Sequence, residues 1–120
     1  MERQLRYMKY CNYNNEREGT AYHEFYKGKW DQDKLEFWRD DSIYVHDDMF
    51  WENPELQNLF REVIPEYSDV EMTEVTADNW AKIGELAKKA ETSTLDFYGE
   101  IDAWAQPVLQ EFGLFTILGI

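Results

Sequence analysis

Apolar residues at Leu56, Leu59, Phe60, Val63 and Ile64 follow the i, i+3, i+4, i+7, i+8 spacing of one helix face. Asn53 suits the N-cap of that helix, Pro54 its first position, and Pro65 stops it. Residues 47–52 are then a short helical turn or a loop leading in, with Asp47 or Asp48 as its cap. A second helix is expected after Thr76, with Asp78 near its positive end and Lys88-Lys89 at its negative end. Its inward residues are Trp80, Ile83, Ala87 and Ala90. Ser93 and Asp96 resemble a capping box for a third helix, whose seam runs through Tyr98, Ile101, Ala105, Val108 and Phe112. Pro107 removes one backbone donor from that helix and should kink it, and Gly113 closes it. The ending LFTILGI carries no charge, which predicts a buried strand.

The first thirty residues are rich in tyrosine and give no single phase. Leu5–Tyr13 and Ala21–Tyr26 read as strands separated by the turn-like NNEREG at 14–19, and Lys27-Gly28 offers a further turn. In LEFWR and SIYVH the apolar Leu35, Phe37, Ile43 and Val45 are all odd-numbered. A hairpin with both pairs in one core needs a loop of odd length, such as 40–42. That register sets Arg39 opposite Ile43 and Phe37 opposite Val45; the other face carries Trp38 against Tyr44 and Glu36 against His46. The last pair reads as a surface ion pair. Residues 66–75 are an acidic connection with room for a short strand. With no repeat or linker, the whole of 1–120 reads as one α+β domain: an antiparallel sheet, about three helices packed on one face, and a C-terminal buried strand.

Charge changes the picture more than composition does. The chain has 25 acids and 12 bases, and residues 31–74 alone hold fourteen acids against three bases. Such a field repels nucleic acid and anionic membranes and attracts cationic surfaces. Trp30, Trp38, Tyr44, Trp51 and Tyr67 are interleaved with those acids. No apolar run is long enough to span a bilayer, and MERQLRYMKY lacks the apolar stretch of a signal peptide, so a cytoplasmic protein is expected. The lone Cys11 can form no internal disulfide and reads as a packing residue.

Catalytic motifs are sparse. Two histidines, His23 and His46, and one cysteine give no recognised zinc spacing, and no calcium loop occurs. No nucleophile elbow or phosphate loop is present either. The expectation is a non-enzyme with no metal and no cofactor. A small carboxylate-based hydrolase or metal-dependent enzyme is the alternative, since twenty-five acids always contain pairs at catalytic separations. Binding fits the residues better: aromatic side chains anchor interfaces, and a rim of one charge sign selects the partner. The candidate partner-binding face comprises Glu36, Trp38, Tyr44 and His46, extended by Trp30, Asp40, Asp41, Asp47, Asp48, Trp51 and Glu52. Taken singly, Trp38 and Trp51 each read first as core residues under a helix, and only together with the acids as an exposed face.

The IYV strand at 43–45, the W-x-x-I helix of Trp80 and Ile83 and the closing FTILGI at 115–120 give the C-terminal two thirds a family likeness. That portion is similar to bacterial immunity proteins of contact-dependent and polymorphic toxin systems. The resemblance implies a cytoplasmic protein that binds one cognate toxin domain and blocks its active site. Many such toxins are nucleases with basic clefts, so Asp and Glu oxygens could stand in for phosphate there. A DNA-mimic or regulatory adaptor acting on a host protein shares the same charge. The residues leave oligomeric state open.

Overall fold

The computed structural model describes residues 8–119. Four strands form one antiparallel sheet: β1 (Tyr22–Lys27), β2 (Ile43–His46), β3 (Met72–Thr76) and β4 (Leu114–Leu118), in the order β2-β1-β4-β3. Four helices accompany it: α1 (Asp47–Glu52), α2 (Glu55–Val63), α3 (Ala77–Lys88) and α4 (Thr92–Phe112). The α+β architecture is therefore the expected one. The uncharged ending became an inner strand, β4, paired on both sides.

Period-two alternation gives the sheet two different faces. His23, Phe25, Ile43, Val45, Val75, Phe115 and Ile117 point toward the helices. There they meet Phe50, Leu56, Phe60, Trp80, Ile83, Phe97, Ile101 and Val108, the residues that periodicity assigned inward together with two it did not, Phe50 and Phe97. Phe112, expected in the seam, is 46% exposed at the last position of α4, its ring lying beside Gly28 instead. Thr76 caps α3 by accepting the Asn79 N–H at 3.1 Å, and the Asn79 side chain returns the bond.

Several expected boundaries moved. The N-cap of α1 is His46, whose Nδ1 accepts the Asp48 N–H at 3.0 Å; Asp47 and Asp48 lie in the first turn instead. Asn53 closes α1, its side-chain amide donating to the Met49 carbonyl, so Pro54 takes the capping position of α2. Glu91, not Ser93, precedes α4. Met8–Tyr13 is not a strand: it contributes one bridge, Asn12 to Tyr44, and residues 5–7 of that expected strand lie outside the described residues. The NNEREG stretch holds a 3₁₀ turn at Asn14–Glu16.

The largest departure is the hairpin. Residues 35–39 form no strand, and β2 pairs instead with β1, Tyr22 against His46 and Phe25 against Ile43. The chain turns at Gly28, whose φ of +74° favours glycine, and then arches over the second face of the sheet as irregular backbone. Glu24 explains why. It is 3% exposed, and its carboxylate accepts the N–H groups of Trp38 (2.8 Å) and Arg39 (3.1 Å) and the Ser42 hydroxyl (2.7 Å). Those donors, which a hairpin would have spent on a ladder, are satisfied by one buried acid. Around it the Tyr26 hydroxyl donates to Glu36, the Trp30 indole to the Glu36 carbonyl, and the Tyr44 hydroxyl to the Arg39 carbonyl. Leu35 and Trp38 adopt positive φ, 50° and 59°, to follow this path. Leu35 and Phe37, expected in the core, are left facing solvent.

Glu100 plays the same part for the N-terminal segment. Its two oxygens accept the N–H groups of Lys9, Tyr10 and Cys11 at 2.7, 2.9 and 3.1 Å. Tyr10 then stacks on Phe97 with ring centroids 4.6 Å apart.

Candidate functional site

The candidate residues fall into two groups that Tyr22 joins, its ring meeting Tyr44 and His46 edge-on. The first lies on the arch. Tyr44 is fully buried, so it supports the face rather than belonging to it. Trp38 stacks on it at 5.8 Å, and the Arg17 guanidinium lies 3.9 Å over the Trp38 ring. The two aromatics meet as expected, although not as a strand pair, and most of their area is spent inside the protein. Trp30 is half-buried against Phe37.

The acids of the arch are also largely engaged. Arg39 donates to both oxygens of Asp41 and pairs with Glu36 at 3.4 Å. The hydrogen bond from Arg39 holds the Asp41 carboxyl below its usual range. Asp40 accepts from the Asn14 amide. Burial and then Glu36 push the Tyr26 phenol up to about 12. Glu36 therefore bonds Tyr26 and Arg39, not His46, and the expected Glu36–His46 pair is absent.

The second group sits where β2 runs into α1. Trp51 is 78% exposed, the most exposed large apolar side chain among the described residues. Asp48 and Glu52 flank it and are exposed; Asp48 has only a long contact, 3.7 Å, to His46. From Asp47 to Glu74 nine acids stand against the single base Arg61, and eight of those acids lie beyond Asp47 with Glu55 the one bonded to a distant side chain, Thr94. This stretch is the uncompensated part of the charge.

His23 was missed by sequence reading. It is fully buried on β1, edge-on to Phe50, and its Nε2 lies 2.9 Å from Asp47 Oδ1. A carboxylate only accepts, so Nε2 carries the proton and Nδ1 is a bare acceptor, without a partner among the described residues. Burial holds the imidazole below its usual 6.5, an effect that Asp47 offsets only in part. The contact is therefore a hydrogen bond of a neutral ring rather than an ion pair. A histidine whose folded pKa is lowered supports folding above 6.5 and withdraws that support as pH falls below it. The urea midpoint should accordingly drop between about pH 7 and about pH 5, and His23→Gln should flatten that slope. An unchanged slope in the variant would assign the acid loss to other groups. Asp41, held low by Arg39, acts only in the more acid range below 3.8.

The concave surfaces do not assemble free acids. A groove of about 890 Å³ runs between the N-terminal segment and α4, and its acids include Asp96, Glu100 and Asp102. Glu100 is occupied by three backbone donors, and Asp102 accepts from the Trp80 indole and the Gln106 amide at 2.8 and 2.7 Å. A smaller cleft of about 320 Å³ brings Cys11 near His46, but burial, reinforced by Glu100, pushes the Cys11 thiol well above its usual pKa. Such a thiol is not a nucleophile at neutral pH. Among the described residues no three His, Cys, Asp or Glu side chains gather in a way that could hold a metal ion. Nor is any described helix long and apolar enough to cross a membrane. Comparison with protein-family models, with curated proteins and with solved structures finds no match for the chain.

Proposed function

We propose that this domain is a cytoplasmic inhibitor of a cationic protein partner, in the manner of the toxin-neutralising immunity proteins its C-terminal two thirds resemble. One observation carries the reading: an indole 78% exposed on α1, set among Asp48 and Glu52 at the head of a stretch with nine acids and one base. Exposed tryptophan supplies contact area at small entropic cost, and a rim of like charge steers a basic partner toward it. Carboxylate oxygens on that rim can occupy a basic nuclease cleft as phosphate surrogates. The binding face of this reading is therefore centred on Trp51, Asp48, Glu52 and the partly exposed His46 and Asp47, with the arch residues Trp30, Trp38, Asp40 and Asp41 beside it. Two of the three groove acids, Glu100 and Asp102, are held in structural hydrogen bonds, which supports binding over hydrolysis there.

The test uses the protein encoded beside this one in its genome, bound to the purified domain by surface plasmon resonance. The association rate should fall as salt rises, and Asp48→Asn with Glu52→Gln should reduce both the rate and its salt dependence. Trp51→Ala should weaken affinity by about thirtyfold or more through faster dissociation. No binding, or a salt-independent rate with unchanged affinity in the variants, removes the proposal.

A further inference from the structure

Trp51 is exposed, yet its indole is hydrogen-bonded back to its own helix. Its Nε1–H donates to Asp47 Oδ2 at 3.2 Å, one helical turn back. The other oxygen of the same carboxylate accepts the Nε2–H of His23 at 2.9 Å. One aspartate thus joins a fully buried ring on β1 to the most exposed aromatic of α1. The Asp47 backbone is fixed as well, its N–H donating to the Ala21 carbonyl at 2.8 Å. His23 is itself held by its neighbours on β1 and β2 and by the edge of Phe50. Of the acids near it, Asp47 alone is within hydrogen-bond distance. A lone i, i+4 hydrogen bond on a solvent-washed helix restrains a side chain weakly. Anchoring the acceptor to a core group removes its freedom and makes the same bond a fixed bracket.

We propose that His23 is a positioning residue for the surface: through Asp47 it fixes the orientation of the Trp51 indole, so that the contact group is preorganised before any partner arrives. Preorganisation of this kind lowers the rotamer entropy lost on association. The use of the fixed indole in binding rests on the function proposed above, but orientation can be read without a partner. The two ideas therefore fail separately.

Two-dimensional ¹H–¹⁵N spectra resolve the indole signals, with Trp51 assigned by its loss in Trp51→Phe. In His23→Leu the Trp51 indole signal should shift upfield as its hydrogen bond weakens, and its heteronuclear NOE should drop toward that of a freely rotating side chain. His23→Gln, whose amide can still donate to Asp47, should restore both in part. The indoles of Trp30, Trp80 and Trp104, bonded to the Glu36 carbonyl, Asp102 and the Asp41 carbonyl, should stay in place and report that the fold is intact. A folded His23→Leu protein with an unmoved Trp51 signal overturns the proposal. The reverse experiment needs no core substitution: in Trp51→Phe the ¹⁵N resonance of His23 Nε2 should move, because Asp47 has lost one of its two donors. An unmoved imidazole signal there also overturns it.

Discussion

Glu24→Ala is expected to destabilise the domain by about 3–5 kcal/mol, the cost of removing one member of a buried charged hydrogen-bond network. The magnitude follows from what the substitution leaves behind. Ser42, 1% exposed, and the N–H groups of Trp38 and Arg39 lose their acceptor together, and the buried Ser42 hydroxyl has no solvent to replace it. Trp38, held at positive φ, would lose the hydrogen bond from its N–H that compensates for that conformation. The arch should therefore open before the helical layer does. Trypsin is the sharper reporter, since Lys29, Lys34 and Arg39 lie in the arch and should become early cleavage sites. Glu24→Gln should cost less, about 1–3 kcal/mol, because its carbonyl still accepts while its amide faces a donor. Urea denaturation of the two variants measures the difference. A Glu24→Ala protein within about 1 kcal/mol of the parent, with the arch still protected, would show that the aromatic stacking of Trp38 on Tyr44 suffices to hold it.

What was legible in the sequence follows from the same contrast. Local periodicity is written residue by residue, so the helix of Leu56–Ile64, the Thr76 cap, the Gly113 stop and the uncharged β4 could all be read. Long-range satisfaction of backbone donors is not written that way. The shared parity of Leu35, Phe37, Ile43 and Val45 puts them in one core only if the two segments pair, and Glu24 diverts the first of them, leaving Leu35 and Phe37 exposed. The available signal was the acid itself: Glu24 shares its face of the strand with Tyr22 and Tyr26, so a segment folded over those rings would bury the carboxylate among them and need to supply it with donors. The candidate face was blurred for a related reason. Tryptophan and tyrosine serve cores and interfaces alike, and only burial separates Tyr44 from Trp51. His23 was hidden because its partner Asp47 belongs to another element, although the strand pairing that joins them becomes plain once β1 lies beside β2.

The acid surplus also divides once the fold is known. Glu24 and Glu100 each bind backbone donors of an irregular segment, and Asp102 collects the donors of Trp80 and Gln106. These are structural fasteners, Glu24 buried and the other two partly exposed. The acids of 48–74 do no such work for the most part, which is why the case for a partner rests on them and not on the total of −13.

Trp80→Ala should match Glu24→Ala in size by a different route, at about 3–5 kcal/mol. Trp80 is 1% exposed and joins three elements: Tyr98 of α4 stacks on it at 4.5 Å, Phe60 of α2 lies at 6.2 Å, and Phe115 of β4 meets its ring at 5.3 Å. Gly84, one turn further along α3, leaves the space into which the Tyr98 hydroxyl end projects. Truncation would therefore open a cavity bounded by rigid aromatic rings, which collapse poorly into an empty site. Trp80→Phe separates packing from polarity. It keeps most of the ring area but takes one donor from Asp102, which retains the Gln106 amide at 2.7 Å. Its cost should stay near 1–2 kcal/mol. Calorimetry would show both variants melting in one transition, because helices and sheet share this contact. If Trp80→Ala instead left α2 and β4 melting apart, the helical layer would be held by Phe97 and Ile101 rather than by the indole.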